Sequence, residues 1–309
     1  MTSRKSRKPF AQLPFAEVPE APRVAHPFLA LPERELEMES RPFGRMRVRY
    51  RELGDGEPLL LVHGLMTSSY SWRYVIEPLS ARWRVIVPDL PGAGRSDKPD
   101  ASYALDALGA WIGEFQSAVG ARGCAVVGNS LGGLLCMRLA LDDPGAMSAL
   151  LNVHSPAFPD ARLRALHFGL SVSGSYAVLS WMIRRDLLRW AHGNVHYRDE
   201  TLKSLEEARV YAEPLASEEG RRAFARWLHE SLAPSGLSRF VADLRARGFP
   251  VPLRLVYARE DPMVPPSVGP RLAALVPDAE LVWLEDASHF AQVDQPAALV
   301  REIHRFFAG

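Results

Sequence analysis

Gly128-Asn129-Ser130-Leu131-Gly132-Gly133 stands between two segments of different character: Cys124 to Gly128 reads as a strand, and Leu131 to Leu141 reads as a helix. A serine that is to attack a substrate needs a strained strand-to-helix turn that lifts its hydroxyl above the sheet. Small neighbours two positions away let strand and helix approach each other there. The helix N-terminus behind the turn also favours developing negative charge. The G-x-S-x-G pattern alone is common. Its setting marks Ser130 as a nucleophile, against the alternative of a capping serine in an ordinary turn.

A nucleophilic serine needs a base, and the base needs an acid to orient it. Tyr257-Ala258-Arg259-Glu260-Asp261-Pro262 follows the strand candidate Leu253 to Ala258, and Ala287-Ser288-His289-Phe290 follows the candidate Leu281 to Leu284. Of nine histidines, His289 is the one in a loop just past a late strand. Ser130, Asp261 and His289 then run in the chain order of one particular architecture. Asp286 is a rival acid, but a loop of three residues rarely lets a side chain reach the far nitrogen of its own histidine. The end of the strand Ala149 to Val153 is the other place for an acid, and it reads Val153-His154-Ser155-Pro156 with no carboxylate.

The oxyanion of a tetrahedral intermediate needs preorganised donors. The N–H of Leu131, directly after the nucleophile, is one candidate. The N–H of Leu65, in the turn His63-Gly64-Leu65-Met66 after the strand Pro58 to Val62, is the other. His63 and Gly64 read either as a structural turn or as support for that donor.

The remaining strand candidates are Arg45 to Leu53 and Trp83 to Val87, and helical stretches cover Ser71 to Leu79, Tyr103 to Val119, Val268 to Leu275 and Pro296 to Phe307. Such alternation marks an α/β fold with a mostly parallel sheet, and short continuous apolar runs suit strands covered on both faces. Residues 156–237 break the alternation with helix-like segments only, which reads as an inserted helical cap. Residues 44–155 and 238–309 form the core of this scheme. Residues 1–43 hold seven prolines, Pro9 through Pro42, after a basic start of Arg4, Lys5, Arg7 and Lys8. Proline at that density argues against helix or ladder, so an extended arm wrapping the surface is expected. No run of seven apolar residues follows the basic start, as a secretory signal would require, and a cytoplasmic location is the expectation.

The composition narrows the function. The chain has 309 residues, 47% of them hydrophobic, enough for a large core without disulfide staples. Thirty-seven basic residues against 36 acidic ones give a net charge of +1, which removes the usual reason to expect nucleic acid or an anionic surface as the main partner. The two cysteines, Cys124 and Cys136, fall on a core strand and a core helix and read as small buried hydrophobes. Phe168 to Ile183 is apolar but only 16 residues long, with four serines and two glycines, too short for a membrane span. A buried or pocket-lining cap helix is the expected alternative. His192-Gly193-Asn194-Val195-His196 has the spacing of a helical metal pair, but no glutamate follows the first histidine and Gly193 weakens the helix. Pro91-Gly92-Ala93-Gly94 lacks the lysine of a phosphate loop and reads as a turn. Neither cofactor nor metal is called for.

Together, Leu61-Val62-His63-Gly64, Pro88-Asp89-Leu90-Pro91-Gly92-Ala93-Gly94-Arg95-Ser96-Asp97, the Ser130 turn and the Asp261 and His289 segments resemble the α/β-hydrolases. The resemblance implies the α/β-hydrolase fold: a mostly parallel central sheet, helices on both faces and an all-helical cap. Thr67-Ser68-Ser69-Tyr70-Ser71-Trp72 and Tyr211-Ala212-Glu213-Pro214-Leu215 are similar to haloalkane dehalogenases and epoxide hydrolases. Those enzymes use an aspartate nucleophile, and a serine at 130 argues against both reactions, because an alkyl ether on serine has no carbonyl for water to attack. Leu65-Met66 in place of an Asn and Pro after His63-Gly64 points the same way. The expectation is a serine hydrolase cleaving a carboxylic ester of an uncharged, hydrophobic small molecule through an acyl-enzyme. Carbon–carbon bond hydrolysis or perhydrolysis by the same triad is the alternative, and a small-molecule receptor with slow hydrolysis is the alternative of another class.

Overall fold

The computed structural model describes residues 10–307, so the basic start Arg4 to Lys8 lies outside the described residues. Eight strands form one sheet in the order β1-β2-β4-β3-β5-β6-β7-β8. They are Glu33–Ser40 (β1), Gly44–Leu53 (β2), Glu57–Val62 (β3), Trp83–Pro88 (β4), Cys124–Asn129 (β5), Met147–Val153 (β6), Leu253–Ala258 (β7) and Glu280–Leu284 (β8). The β1–β2 and β2–β4 pairs are antiparallel and all the others are parallel. The central strands read as unbroken apolar runs because both sides of the sheet are covered. Leu60, Val126, Leu150 and Leu255 belong to the core on one side, while their neighbours Leu61, Val127, Leu151 and Val256 belong to the core on the other.

The helices are Ile76–Ser80 (α1), Leu105–Ala118 (α2), Leu131–Asp142 (α3), Ala161–Ser171 (α4), Ser175–Arg185 (α5), Leu187–Asn194 (α6), Leu205–Ala212 (α7), Glu218–Arg226 (α8), Pro234–Arg247 (α9), Val268–Ala273 (α10), Ala291–Asp294 (α11) and Pro296–Phe307 (α12). The helix expected over Ser71 to Leu79 is instead a 3-10 turn at Ser69–Trp72 followed by α1. Pro78 has no N–H to extend a helix begun at Ser71, whereas near the start of α1 a missing N–H costs nothing. In the inserted segment Trp227, Tyr197, Tyr211 and Phe224 are buried, and the two cysteines are free and buried as expected.

Two boundaries differ from the sequence reading. The arm ends at Pro32, because Glu33–Ser40 is a strand. Its glutamates stand opposite arginines of β2 at Glu33↔Arg51, Glu35↔Arg49, Glu37↔Arg47 and Glu39↔Arg45. Leu36 and Met38 supply the apolar side of the strand. Cross-strand pairing of opposite charges holds an edge that proline density alone would have left unstructured. The second boundary, at residue 237, falls inside α9, whose Leu237, Phe240 and Leu244 are fully buried in the core below α3.

Residues 10–32 run over the surface and touch the inserted helices: the Leu205 and Glu206 N–H groups donate to the Pro19 and Glu20 carbonyls, and Phe28 is buried against Tyr70. A buried ion pair, Arg73 to Glu207 at 2.6 Å, joins the segment after β3 to α7. Tyr197 donates to the same carboxylate.

Candidate active site

Every parallel strand that matters for the site ends at the same edge of the sheet, the place where α/β folds bind ligands. Ser130 caps β5 and opens α3 with φ 56° and ψ −126°, a conformation that costs a non-glycine residue strain energy. Backbone crowds it from both sides. A Cβ on Gly132 would come within 2.4 Å of the His63 carbonyl, one on Gly128 within 2.5 Å of Gly133, and one on Gly64 within 2.9 Å of the Ser130 Cβ. Only glycine fits at these positions, which is how a weak sequence pattern becomes a rigid turn.

The Ser130 N–H donates to Val153, its carbonyl accepts from Ser155 Oγ at 2.9 Å, and Tyr257 OH in turn holds the Ser155 carbonyl at 2.7 Å. Asn129, the residue before the serine, donates from Nδ2 to the His289 carbonyl at 3.0 Å and accepts from Gln292. The serine turn and the histidine loop are thus tied together through one side chain.

Asp261 and His289 meet as the sequence order requires: His289 Nδ1 lies 2.8 Å from Asp261 Oδ2. The other carboxylate oxygen accepts the Met263 and Val264 N–H groups at 2.7 and 2.9 Å. Burial alone would raise the Asp261 pKa, but attraction to His289 and hydrogen bonding from the two histidines beside it hold it well below the usual carboxylate range. Asp286, the rival acid, is exposed and paired with Arg198 at 3.0 Å instead. Ser130 Oγ makes no hydrogen bond to His289, yet both side chains open onto the same cavity.

One neighbour was not read from the sequence. His154, completely buried at the end of β6, places Nδ1 3.0 Å from Asp261 Oδ2, so two imidazoles flank one carboxylate oxygen. Burial lowers its pKa, against the pull of Asp261, and keeps it neutral. Its only sequence signal is Val153-His154 at a strand end that carries no carboxylate. His154, Asp261 and His289 are also the one cluster among the described residues compact enough for a metal, their ligand atoms lying within 4.8 Å of one another. Within the cluster His289 Nδ1 is hydrogen-bonded to Asp261 Oδ2, whereas the His154 ring nitrogens, buried beside the carboxylate, make no well-aligned hydrogen bond. His192 and His196 turn to separate partners, the Leu13 carbonyl and Glu200.

The turn after β3 is braced from below. His63, completely buried, puts Nδ1 2.8 Å from the Gly64 carbonyl and accepts the Leu90 N–H on Nε2. Asp89 accepts the Ser69 and Arg95 N–H groups at 2.8 and 2.9 Å, fixing the neighbouring loop. The N–H groups of Leu65 and Leu131 donate to no other group among the described residues, and both residues border the cavity with Ser130.

That cavity, about 470 Å³, is walled by apolar side chains, with Leu163, Leu166 and Leu170 of α4, Leu179 of α5, and Phe224 and Leu228 closing it from the inserted helices. Its size suits a small or medium molecule.

The sequence profile of the alpha/beta hydrolase fold family matches residues 57–296. A pimeloyl-[acyl-carrier protein] methyl ester esterase of Aeromonas hydrophila is 30% identical over 280 residues, 84% of this chain and 99% of that protein. A haloalkane dehalogenase of Mycobacterium bovis is 29% identical over 275 residues, 86% of this chain and 93% of its own length. Among solved structures, a meta-cleavage product hydrolase from Pseudomonas fluorescens IP01 superposes with a TM-score of 0.65 at 25% identity, covering 85% of this chain and 94% of that one. Profile, relatives and topology agree: the chain belongs to the alpha/beta hydrolase fold family, as a hydrolase laid out like the branch that holds the haloalkane dehalogenases.

Proposed function

We propose that this hydrolase is a serine esterase that cleaves a carboxylic ester of an uncharged, hydrophobic small molecule through an acyl-enzyme. The observation that carries the reading is the convergence of Ser130, His289, Leu65 and Leu131 on one apolar-walled cavity, with Asp261 bonded behind His289. The methyl ester esterase relative supports the bond type.

In this mechanism Ser130 Oγ attacks the ester carbonyl while His289 Nε2 takes its proton. The Leu65 and Leu131 N–H groups stabilise the oxyanion. His289 then protonates the departing alcohol, and water activated by the same imidazole releases the acid. Asp261 holds the imidazole with Nδ1–H towards itself and stabilises the cation formed in each step. The inserted helices α4 to α8 act as the cap that shapes the acyl or alcohol pocket.

The test is a series of p-nitrophenyl esters of increasing chain length, run with a carbon–carbon hydrolase substrate beside them. Ester turnover that Ser130→Ala lowers by about a thousandfold or more is expected, since residual rates without a nucleophile come only from binding and the oxyanion donors. Ester turnover retained within tenfold in the folded variant would sink the assignment. The meta-cleavage product hydrolase likeness favours the second reading, cleavage of a carbon–carbon bond beside a carbonyl, which preferential turnover of that substrate would establish.

A further inference from the structure

The segment Phe168 to Ile183, too short to span a membrane and expected as a buried or pocket-lining cap helix, lines the cavity through Leu170 and Leu179 but is otherwise largely exposed. It spans the end of α4 and most of α5, joined at Gly174, and Ile183 is the one buried residue of the two helices. Six of the eight exposed large apolar side chains among the described residues lie in these helices and their link: Leu166, Phe168, Val172, Val178, Trp181 and Met182. Trp181 is 61% exposed and Phe168 73%.

The pattern is two-sided. Leu163, Leu166 and Leu170, spaced three and four apart on α4, face the cavity with Leu179 of α5. Phe168 and Val172, four apart, and Val178, Trp181 and Met182, three and four apart, face outward. A helix on a water-facing surface would be polar on that side. Here no Asp, Glu, Lys or Arg occurs from Ala165 to Ile183. The charges stand at the outer ends: Arg162 and Arg164 in the first turn of α4, Arg184 and Arg185 in the last turn of α5. All four are exposed, and none makes an ion pair among the described residues. From Asp160 to Trp190 five arginines face two aspartates, a local excess that the net charge of +1 averages away.

We propose that the outer face of α4 and α5 docks on an anionic lipid bilayer, lying in the interface with Phe168, Val172, Val178 and Trp181 among the acyl chains and the arginines among the headgroups. The chemistry favours this occupant over others. A bilayer interface takes an uncharged apolar stripe, an interfacial tryptophan and flanking cations together. In a two-fold pair of chains the face would meet itself, arginine rim against arginine rim. An acidic protein would satisfy the arginines and leave the aromatic stripe without a partner. Because the inner side of the same helices lines the cavity, a lipophilic substrate dissolved in the bilayer enters directly from it. That last step rests on the esterase reading; docking itself does not.

The test is cosedimentation of the full chain with vesicles of phosphatidylcholine, alone or mixed with phosphatidylglycerol, using wild type and Ser130→Ala in parallel, so that docking is read independently of turnover. Binding to the mixed vesicles that weakens with salt is expected in both. Phe168→Ser and Trp181→Ser should each weaken it by roughly tenfold, and Arg184→Gln with Arg185→Gln by about fivefold per charge. Hydrolysis of a dissolved p-nitrophenyl ester should stay unchanged in these variants, which also reports that they fold. Absence of vesicle binding, or binding that the aromatic substitutions leave intact, overturns the proposal. So does a concentration-dependent dimer, or a complex with an acidic carrier protein, that Trp181→Ser abolishes while vesicles are ignored.

Discussion

At Ser130 the backbone conformation and the chemistry pull against each other. Positive φ with ψ near −126° is unfavourable for any residue with a Cβ, and the surrounding glycines and backbone hold the turn there. Ser130→Gly should relieve that strain where Ser130→Ala cannot. Both variants lose the hydroxyl, so urea unfolding of the glycine form is expected to show about 1 kcal/mol more stability than the alanine form. His154 makes a different contribution. Replacing it with phenylalanine keeps the volume and removes one partner of Asp261. The expected result is a fall in kcat of roughly tenfold with little change in KM, the size of one lost polar contact to a charged group. Ser130, Asp261 and His289 were legible because each has a strand before it and a residue type the chemistry demands. His154 was not, because a neutral buried histidine beside a carboxylate has no spacing rule, and only the sheet register brings residues 154 and 261 together.

The elements show the same division. Strands β3, β5 and β7 and helices α3 and α12 could be read to within a residue or so, since continuous apolar runs and helix-period patterns survive without knowledge of neighbours. Strand β1 could not be read from its own sequence. It becomes a strand only opposite the arginines of β2, and its alternation of Glu with Leu36, Met38 and Ser40 is a period-two signal that the preceding prolines masked. The loop from β8 into α11 carries a pH dependence. Asp294 accepts from the Ser288 N–H and hydroxyl and from the Arg198 N–H, and burial, against those bonds, pushes its pKa up to about 6. A carboxyl whose folded pKa lies above its unfolded value of 3.8 contributes most below that value, and the contribution is lost as pH rises through about 6. Asp294→Asn lacks this titration. Between about pH 4 and 6 the stability of the wild type relative to the variant should therefore decline, by at most about 3 kcal/mol. Thermal midpoints of both proteins measured across that range check it; a constant difference contradicts it.

For the whole molecule, the inserted helices are joined to the core by shared apolar clusters, hydrogen bonds and ion pairs, and Arg73–Glu207 is the most buried of those ion pairs. Burial, only partly offset by Arg73, raises the Glu207 pKa, while the arginine stays charged. Glu207→Gln leaves that cation without a counter-charge and is expected to cost about 3 kcal/mol in denaturant unfolding. The two halves of the cavity also differ in how freely their sequence can change. Around Ser130, Gly128 and Gly132 face backbone, and Gly64 faces the Ser130 Cβ, within 3 Å of where a side chain would begin. The opposite wall is made of side chains, leucines and Phe224, that reach the cavity from the inserted helices. A mutant library aimed at new substrates should therefore leave residues 128–133 and Gly64 fixed and randomise Leu163, Leu166, Leu170, Leu179, Phe224 and Leu228. Most clones from such a library should keep the reacting groups in register while the shape of the accepted molecule varies.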